Sequence, residues 1–358
     1  MKKILHIAPL NFAGVPYDFF KMHNHVGDFS HLITLHKNPH TFPEDICFDF
    51  PLPKFSLAKF WRDRKKKEID NSNSESAPYF KPKNVFEKIY FAVNDSLRTQ
   101  KVEEAIKKYE LDSFDIIHLD GGLGFYRNSK QIQKWKSEGK KIVSCFYGSD
   151  LRSRGLIKEI DEISDLNITS EYDHLLLKND LEYLFYPYDT AELPARIENN
   201  SDVIKIVHSP TNRKYKGTEL IISVINEIKK KYKIEFHLLE NLSREEVLRV
   251  KSTSDICIDQ VGGLGGGTGY GKSGLETLGM GIPTIINMIP EYIEWMPENP
   301  FVIANNFDEL KKALVELIDD PQLRQEYSAK GTQWVKKYHG YESVNKSLYD
   351  LYKKYRII

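Results

Sequence analysis

The chain has 358 residues, which is long for one ordinary domain and suits two of about 150 to 190 residues, each with its own core. Its 51 Lys and Arg balance 51 Asp and Glu, so no global field favours nucleic acid, and that partner class is not expected. Cys47, Cys145 and Cys257 are far apart and each lies beside apolar residues, a pattern that suits buried thiols in a reducing cytosol better than a disulfide framework or a zinc site.

The opening MKKILHIAPLNF carries an apolar run too short for a signal peptide. No uncharged apolar run of about eighteen residues follows, so a spanning helix is not expected and a cytoplasmic location is. Residues 4–8 read as a buried strand, and Asn11-Phe12-Ala13-Gly14-Val15-Pro16 as the loop at its carboxyl end, where open α/β sheets line their ligand crevice. Helix is expected over 17–25 and a second strand over 31–36, with Pro39, Pro43, Pro51 and Pro53 marking irregular chain after it. The stretch 55–67, FSLAKFWRDRKKK, opens at Phe55, closes at Lys67, and puts Leu57, Phe60 and Trp61 on one helical face beside a run of cations. Its sharper reading is a membrane-surface helix that meets anionic lipid or a lipid-linked acceptor. The plainer reading is a solvated basic face with core aromatics.

Residues 69–83 read as a loop and 85–109 as a helix. Strands are expected at 114–119, leading into Asp120-Gly121-Gly122, at 141–146, leading into Tyr147-Gly148-Ser149-Asp150, at 165–169 and at 183–188. A first domain, 1–190, is thereby closed, with a linker before a second domain over 200–340. The second opens with strand 204–208, a polar loop through Arg213, Lys216 and Gly217, helix 219–232 and strand 234–239. Ser243 and Glu246 form the S-x-x-E of a capping box. Strand 301–304 and helices 308–318, 322–338 and 343–355 complete it. Alternating βα halves predict two doubly wound parallel sheets.

The densest signal is SDICIDQVGGLGGGTGYGKSGLETLGMGIPTIIN, residues 254–287. Ile256, Cys257 and Ile258 make a short strand that stops at Asp259-Gln260, and residues 262–274 then hold eight of the chain's 21 glycines. A short helix from Ser273 to Met280 and another strand follow. Strand, glycine loop and helix aim amides and a helix N-terminus at an anion, usually a phosphate. Gly266 to Ser273 also satisfies G-x-x-x-x-G-K-S, the P-loop pattern. Against an NTPase, Gly262, Gly263, Leu264 and Gly265 separate that pattern from the strand, and no later strand ends in a magnesium-binding Asp. A third reading is a flexible linker.

HSPTNRKYKGT at 208–218, GYGKSGLETLGMGIPTI at 269–285, FDIIHLDGG at 114–122 and YGSDLRSRG at 147–155 together resemble retaining GT-B glycosyltransferases of the family-4 type. The resemblance implies two Rossmann-like domains facing across a cleft, with a C-terminal helix, 341–358, packed back on the first. It implies that Arg213 and Lys216 clasp the diphosphate of a nucleotide sugar, where two cations and a helix end stabilise charge on the leaving group. Glu276 matches the carboxylate that holds the ribose hydroxyls. Gly271, Lys272, Ser273 and Gly274 offer amides to the phosphates, Gly14 lets the first-domain loop approach them, and Asn241-Leu242 faces the nucleobase.

Three positions depart from that pattern. The family's first Glu falls on Thr268, a His is replaced by Asp120, and the His of a His-Gly-x-Asp stretch is replaced by Tyr147. Asp120 is the candidate for the polar position beside the reacting carbon. No D-x-D triplet occurs, so neither a metal nor a cofactor is expected. The reading is a UDP- or GDP-sugar transferase acting with retention on a glycan or lipid-linked acceptor. Its rivals are a nucleotide-sugar binding protein without turnover and a P-loop NTPase.

Overall fold

The computed structural model describes residues 1–39, 42–51, 77–82 and 84–358. The basic stretch 55–67 and most of 69–83 lie outside the described residues. The chain divides into two compact units, Met1–Pro187 together with Val344–Ile358, and Tyr188–Ser343. The last helix, Tyr341–Lys354, therefore enters the first unit from its Val344 onward. Among the described residues no helix is long and apolar enough to cross a membrane.

Among the described residues the first unit is built on a seven-stranded sheet, β1 (Lys3–Ala8), β2 (Phe29–Thr34), β3 (Ile46–Cys47), β4 (Ile116–Asp120), β5 (Lys141–Phe146), β6 (Leu166–Thr169) and β7 (Leu181–Tyr183). The order is β3-β2-β1-β4-β5-β6-β7 and every pairing is parallel. Such strands are covered on both faces and read as continuous apolar runs, which is why KILHIA and FDIIHL stand out in sequence. Leu5, Ile7, Ile117 and Leu119 point into one cluster with Phe114, Phe125 and Trp135. The alternation of side chains across a strand sends His6, His118 and Asp120 to the other face, and register pairs His6 with His118 and Asp120 with Cys145. Helices α1 (Val15–His25) and α2 (Val85–Lys108) belong to this unit.

The second unit carries, among the described residues, a five-stranded parallel sheet: β8 (Ile204–His208), β9 (Ile234–Leu238), β10 (Ile256–Gln260), β11 (Thr284–Ile286) and β12 (Val302–Ile303), in the order β12-β11-β10-β8-β9. Its helices include α3 (Arg213–Lys216), α4 (Thr218–Ile228), α5 (Arg244–Ser252) and α6 (Lys272–Gly279). After β9 the chain returns to the far side of β8 to lay down β10, so the winding reverses between β8 and β10. The loops that leave those two strands flank the switch point, where sheets of this kind bind ligands.

Several boundaries differ from the sequence reading. Residues 184–188 are not strand, because β6 ends at Thr169, opposite Tyr183, and the ladder closes where Leu184 N donates to Thr169 O. The helix expected over 219–232 stops at Ile228, where its buried face of Ile221, Val224, Ile225 and Ile228 runs out into Lys229, Lys230 and Lys231. The loop holding Arg213 is a helical turn, capped by Asn212, whose side chain accepts from the amides of Lys214 and Tyr215. Strand β3 is only two residues long, too short to show a period.

Candidate functional site

The amino end of α6 lies at the end of the glycine-rich loop, and three neighbouring elements deliver side chains to it. β10 carries Asp259, 2% exposed, as its last residue but one. Its Oδ1 accepts from the Lys216 ammonium at 2.9 Å, and its Oδ2 has no hydrogen-bond partner. A methyl group placed on Gly271 would stand 3.3 Å from Lys216 Nζ, and one on Gly274 3.4 Å from Asp259 Oδ2. Lys216 and Asp259 thus meet where the helix presents its first amides, the positive end of the macrodipole. An ammonium has three N–H donors, and Asp259 occupies one of Lys216's.

The glycines of the loop serve two purposes. Val261 N donates to Lys216 O and Leu264 N to Lys214 O, at 3.2 and 3.1 Å. A Cβ on Gly217 would fall 1.8 Å from Val261 O, and one on Gly263 2.1 Å from Tyr215 O. These glycines let the loop lie backbone to backbone on the α3 turn, which fixes Lys216. Gly266, at φ +70°, would meet nothing within 4 Å and belongs to the open part of the loop. His208 braces the same turn from below: its Nδ1 faces Ile258 O at 2.7 Å and its Nε2 the Thr218 hydroxyl at 2.9 Å. Burial pushes this histidine down to about 4, so it is neutral.

One helix face behind the site carries a residue that sequence reasoning missed. Lys251 on α5 is 1% exposed, and its ammonium donates to Glu276 Oε2 at 2.8 Å, Ser273 Oγ at 3.0 Å and Ser273 O at 3.2 Å. Arg244 holds the other carboxylate oxygen of Glu276 at 3.2 Å. Ser273 Oγ also lies 3.1 Å from Ser209 Oγ. The signal for Lys251 was available: the capping box fixes the start of α5, and helical spacing then sets Leu248, Lys251 and Ser252 on the inward face. Asp259 had a similar signal, a carboxylate directly after the apolar run Ile256, Cys257 and Ile258.

Of the residues predicted for the diphosphate, Lys216, Gly271, Ser273 and Gly274 come together here, and Glu276, predicted for the ribose, lies beside them on α6. Lys272 opens α6, with its ammonium 5.4 Å from the Tyr188 ring centroid. Arg213 is turned elsewhere: its guanidinium binds Glu219 and, at 2.7 Å, Glu240, and these carboxylates hold it above its ordinary pKa. Glu240 precedes the exposed turn of Asn241, at φ +56°, and Leu242, so Arg213 reaches the turn predicted to face a nucleobase. Thr268 sits half-buried in the loop.

Gly14 and Asp120 are in the first unit. Gly14 is buried at φ +78° and caps α1. Asp120 is wholly buried, with one oxygen 2.9 Å from His6 Nδ1 and the other accepting from the Tyr147 hydroxyl at 2.6 Å. Burial drives its carboxyl up to about 6 and His6 down to about 3. Asp120 therefore presents no oxygen to solvent, and the group it orients is Tyr147. His118 pairs with Tyr352 of the last helix and, through Nδ1 at 3.4 Å, with Cys145. Among the described residues no group of three or more His, Cys, Asp or Glu is placed to hold a metal ion.

Neither a family model nor a curated protein matches the sequence. Solved structures do match the fold along nearly the whole chain. A glycosyltransferase from Rickettsia africae aligns at a TM-score of 0.56 and 15% identity, covering 99% of this chain and 98% of that one. Anabaena HepE in complex with UDP aligns at 0.57 and 9% identity over 99% and 100%. A variant of S. aureus TarM, in complex with fondaparinux, α-GlcNAc-glycerol and UDP, aligns at 0.57 and 11% identity over 98% and 100%. The two parallel sheets flanked by helices are those of the GT-B glycosyltransferases, and that fold is the one this chain adopts.

Proposed function

We propose that the protein is a glycosyltransferase that moves a sugar from a UDP- or GDP-type donor to a glycan or lipid-linked acceptor, in the cytoplasm, with retention and without a metal. The observation that carries this reading is the meeting of Lys216 with the amino end of α6 at a topological switch point. An ammonium and a row of helix amides are what a departing diphosphate needs, since its charge grows as the sugar–phosphate bond breaks. Further support comes from neighbours of the same fold that were solved with UDP bound.

In this reading Lys216 and the first amides of α6, from Gly271 to Gly274, hold the two phosphates. Glu276, kept in place by Lys251 and Arg244, takes the ribose hydroxyls, and the Asn241-Leu242 turn lies against the base. Arg213 joins the phosphates by exchanging one of its two carboxylate partners for the ligand. In the first unit Gly14 supplies the close turn, and Asp120 keeps the Tyr147 hydroxyl oriented for the acceptor side. The stretch from Phe55 to Lys67 is the candidate for peripheral membrane contact.

A thermal-shift panel of uridine, guanosine and adenosine diphosphates and their sugars is the first test, because a ligand that binds the folded state raises its melting temperature. One base class is expected to stabilise the protein, and its sugar to be consumed when acceptor is supplied. A panel in which no nucleoside diphosphate shifts the melting point refutes the donor site. Turnover abolished by a chelator refutes metal independence.

A further inference from the structure

In the first unit three arginines lie close enough to act on one another, near the carboxyl edge of its sheet. Arg127 follows β4, Arg154 closes the helical turn after β5, and Arg98 lies on α2. Phe80 and Phe91 turn their rings toward the Arg127 guanidinium, with centroids 4.9 and 4.7 Å from its Cζ. Its Nη1 is buried and has no hydrogen-bond partner.

The charges acting on Arg127 are mixed. Burial, then Arg154 and Arg98, push its pKa down to about 10, against Asp95 and Glu87 acting the other way. Asp95 spends its two oxygens on the backbone amides of Arg127 and Asn128 and on the Asn128 side-chain amide, at 3.0, 3.1 and 2.9 Å. Arg154 hydrogen-bonds the carbonyl oxygens of Gly121 and Gly155, with Asp150 as the carboxylate acting on it. Arg98 reaches His36 Nε2 at 3.4 Å and lies over Phe50. Burying a guanidinium edge beside two further cations is costly unless an anion completes the set. The planar N–H edge of arginine fits oxyanions, and aromatic rings against the guanidinium hold that edge in position.

We propose that Arg127, flanked by Arg154 and Arg98, is the centre of a second oxyanion site in this protein, one that takes the phosphate group of an organic phosphate ester. The number of cations favours a phosphate, with its several oxygens and higher charge, over a single carboxylate. The site stands independently of the donor reading. Under that reading, the ester belongs to the acceptor.

Calorimetric titration with inorganic phosphate, at constant ionic strength, tests it on the full chain. The wild type is expected to bind phosphate, and Lys216→Gln, altered only at the α6 end, to keep that binding. Arg127→Gln should weaken it by about 10- to 100-fold, the loss of a charge-assisted hydrogen bond. Arg127→Lys, which keeps the charge but not the fork, guards against misfolding and should fall between them. Glycerol 3-phosphate should bind with the same dependence on Arg127, and glycerol should not bind. The proposal is overturned if the wild type binds no phosphate, if Arg127→Gln binds as tightly as the wild type, if Lys216→Gln abolishes binding, or if inorganic phosphate binds and the ester does not.

Discussion

Replacing Lys251 by methionine isolates the network that seats Glu276. Methionine fills nearly the same volume, so little cavity cost arises and the loss is electrostatic. The wild-type ammonium, 1% exposed, lies 2.8 Å from the Glu276 carboxylate and 3.2 Å from the Ser273 carbonyl. Removing one partner of a buried pair costs about 3 to 5 kcal/mol, and leaving the Ser273 carbonyl without that donor adds about 1 kcal/mol. Arg244, still 3.2 Å from the other oxygen, offsets part of this, so about 3 to 4 kcal/mol is expected. Adding Glu276→Gln removes the uncompensated charge and should restore about 2 kcal/mol. Urea unfolding followed by tryptophan emission reads both, since Trp334 is buried in the second unit. A Lys251→Met protein within about 0.5 kcal/mol of the wild type, or a double variant no more stable than the single, refutes the reasoning.

Gly263→Ala puts a carbon 2.1 Å from Tyr215 O and 2.7 Å from Gly217 N, backbone atoms that cannot step aside, and should cost about 2 kcal/mol or more. Gly266→Ala, with open space around it, should cost only the backbone strain of about 1 kcal/mol; thermal melts that rank the two the other way would contradict the packing of the loop on α3. Acidification should unfold the first unit early. His6 is depressed to about 3 and His118 and His23 also lie well below the ordinary value, all chiefly by burial. Stability from each is complete above about pH 6.5 and is lost as pH falls toward the folded pKa, which for His6 amounts to about 2 kcal/mol at pH 5. Asp120, raised by burial to about 6, works in the opposite sense and returns about 1 kcal/mol over the same interval. Unfolding free energies from urea titrations should be lower at pH 5 than at pH 7 by more than about 1 kcal/mol, and equal values would mean these rings are not buried neutral. For donor turnover, Lys216→Gln should lower kcat/KM by about 100- to 1000-fold. Arg213→Gln should lower it by about tenfold, since this arginine must first release a carboxylate. Equal effects would place both cations on the phosphates from the start.

How much was legible in the sequence follows from what each feature depends on. The parallel strands were, because burial on both faces leaves runs such as KILHIA and FDIIHL that no turn interrupts. The meeting of Lys216 with the glycine-rich loop and the helix end was also legible, since such a loop before a short helix is the usual setting for an anion. Part of that glycine signal had a different cause, however: Gly217 and Gly263 are required by the contact between the loop and the α3 turn, a long-range contact that no local pattern encodes. The engagement of Arg213 with Glu240 was hidden for the same reason, since the partners are 27 residues apart. Asp120 was found at its strand end, yet the direction in which it points depends on the alternation that also buries His6 and His118, so its carboxylate serves Tyr147 and not solvent.

The path of the chain through its units constrains how the protein is made. Residues Tyr188–Ser343 form a contiguous unit and can complete their core without a segment from elsewhere in the chain. The other unit cannot, because Val344, Leu348 and Tyr352, all buried within it, are translated after everything else in the two sheets. Until Tyr352 arrives to meet His118, that ring on the polar side of the first sheet lacks its partner, so the half synthesised first is the half that matures last.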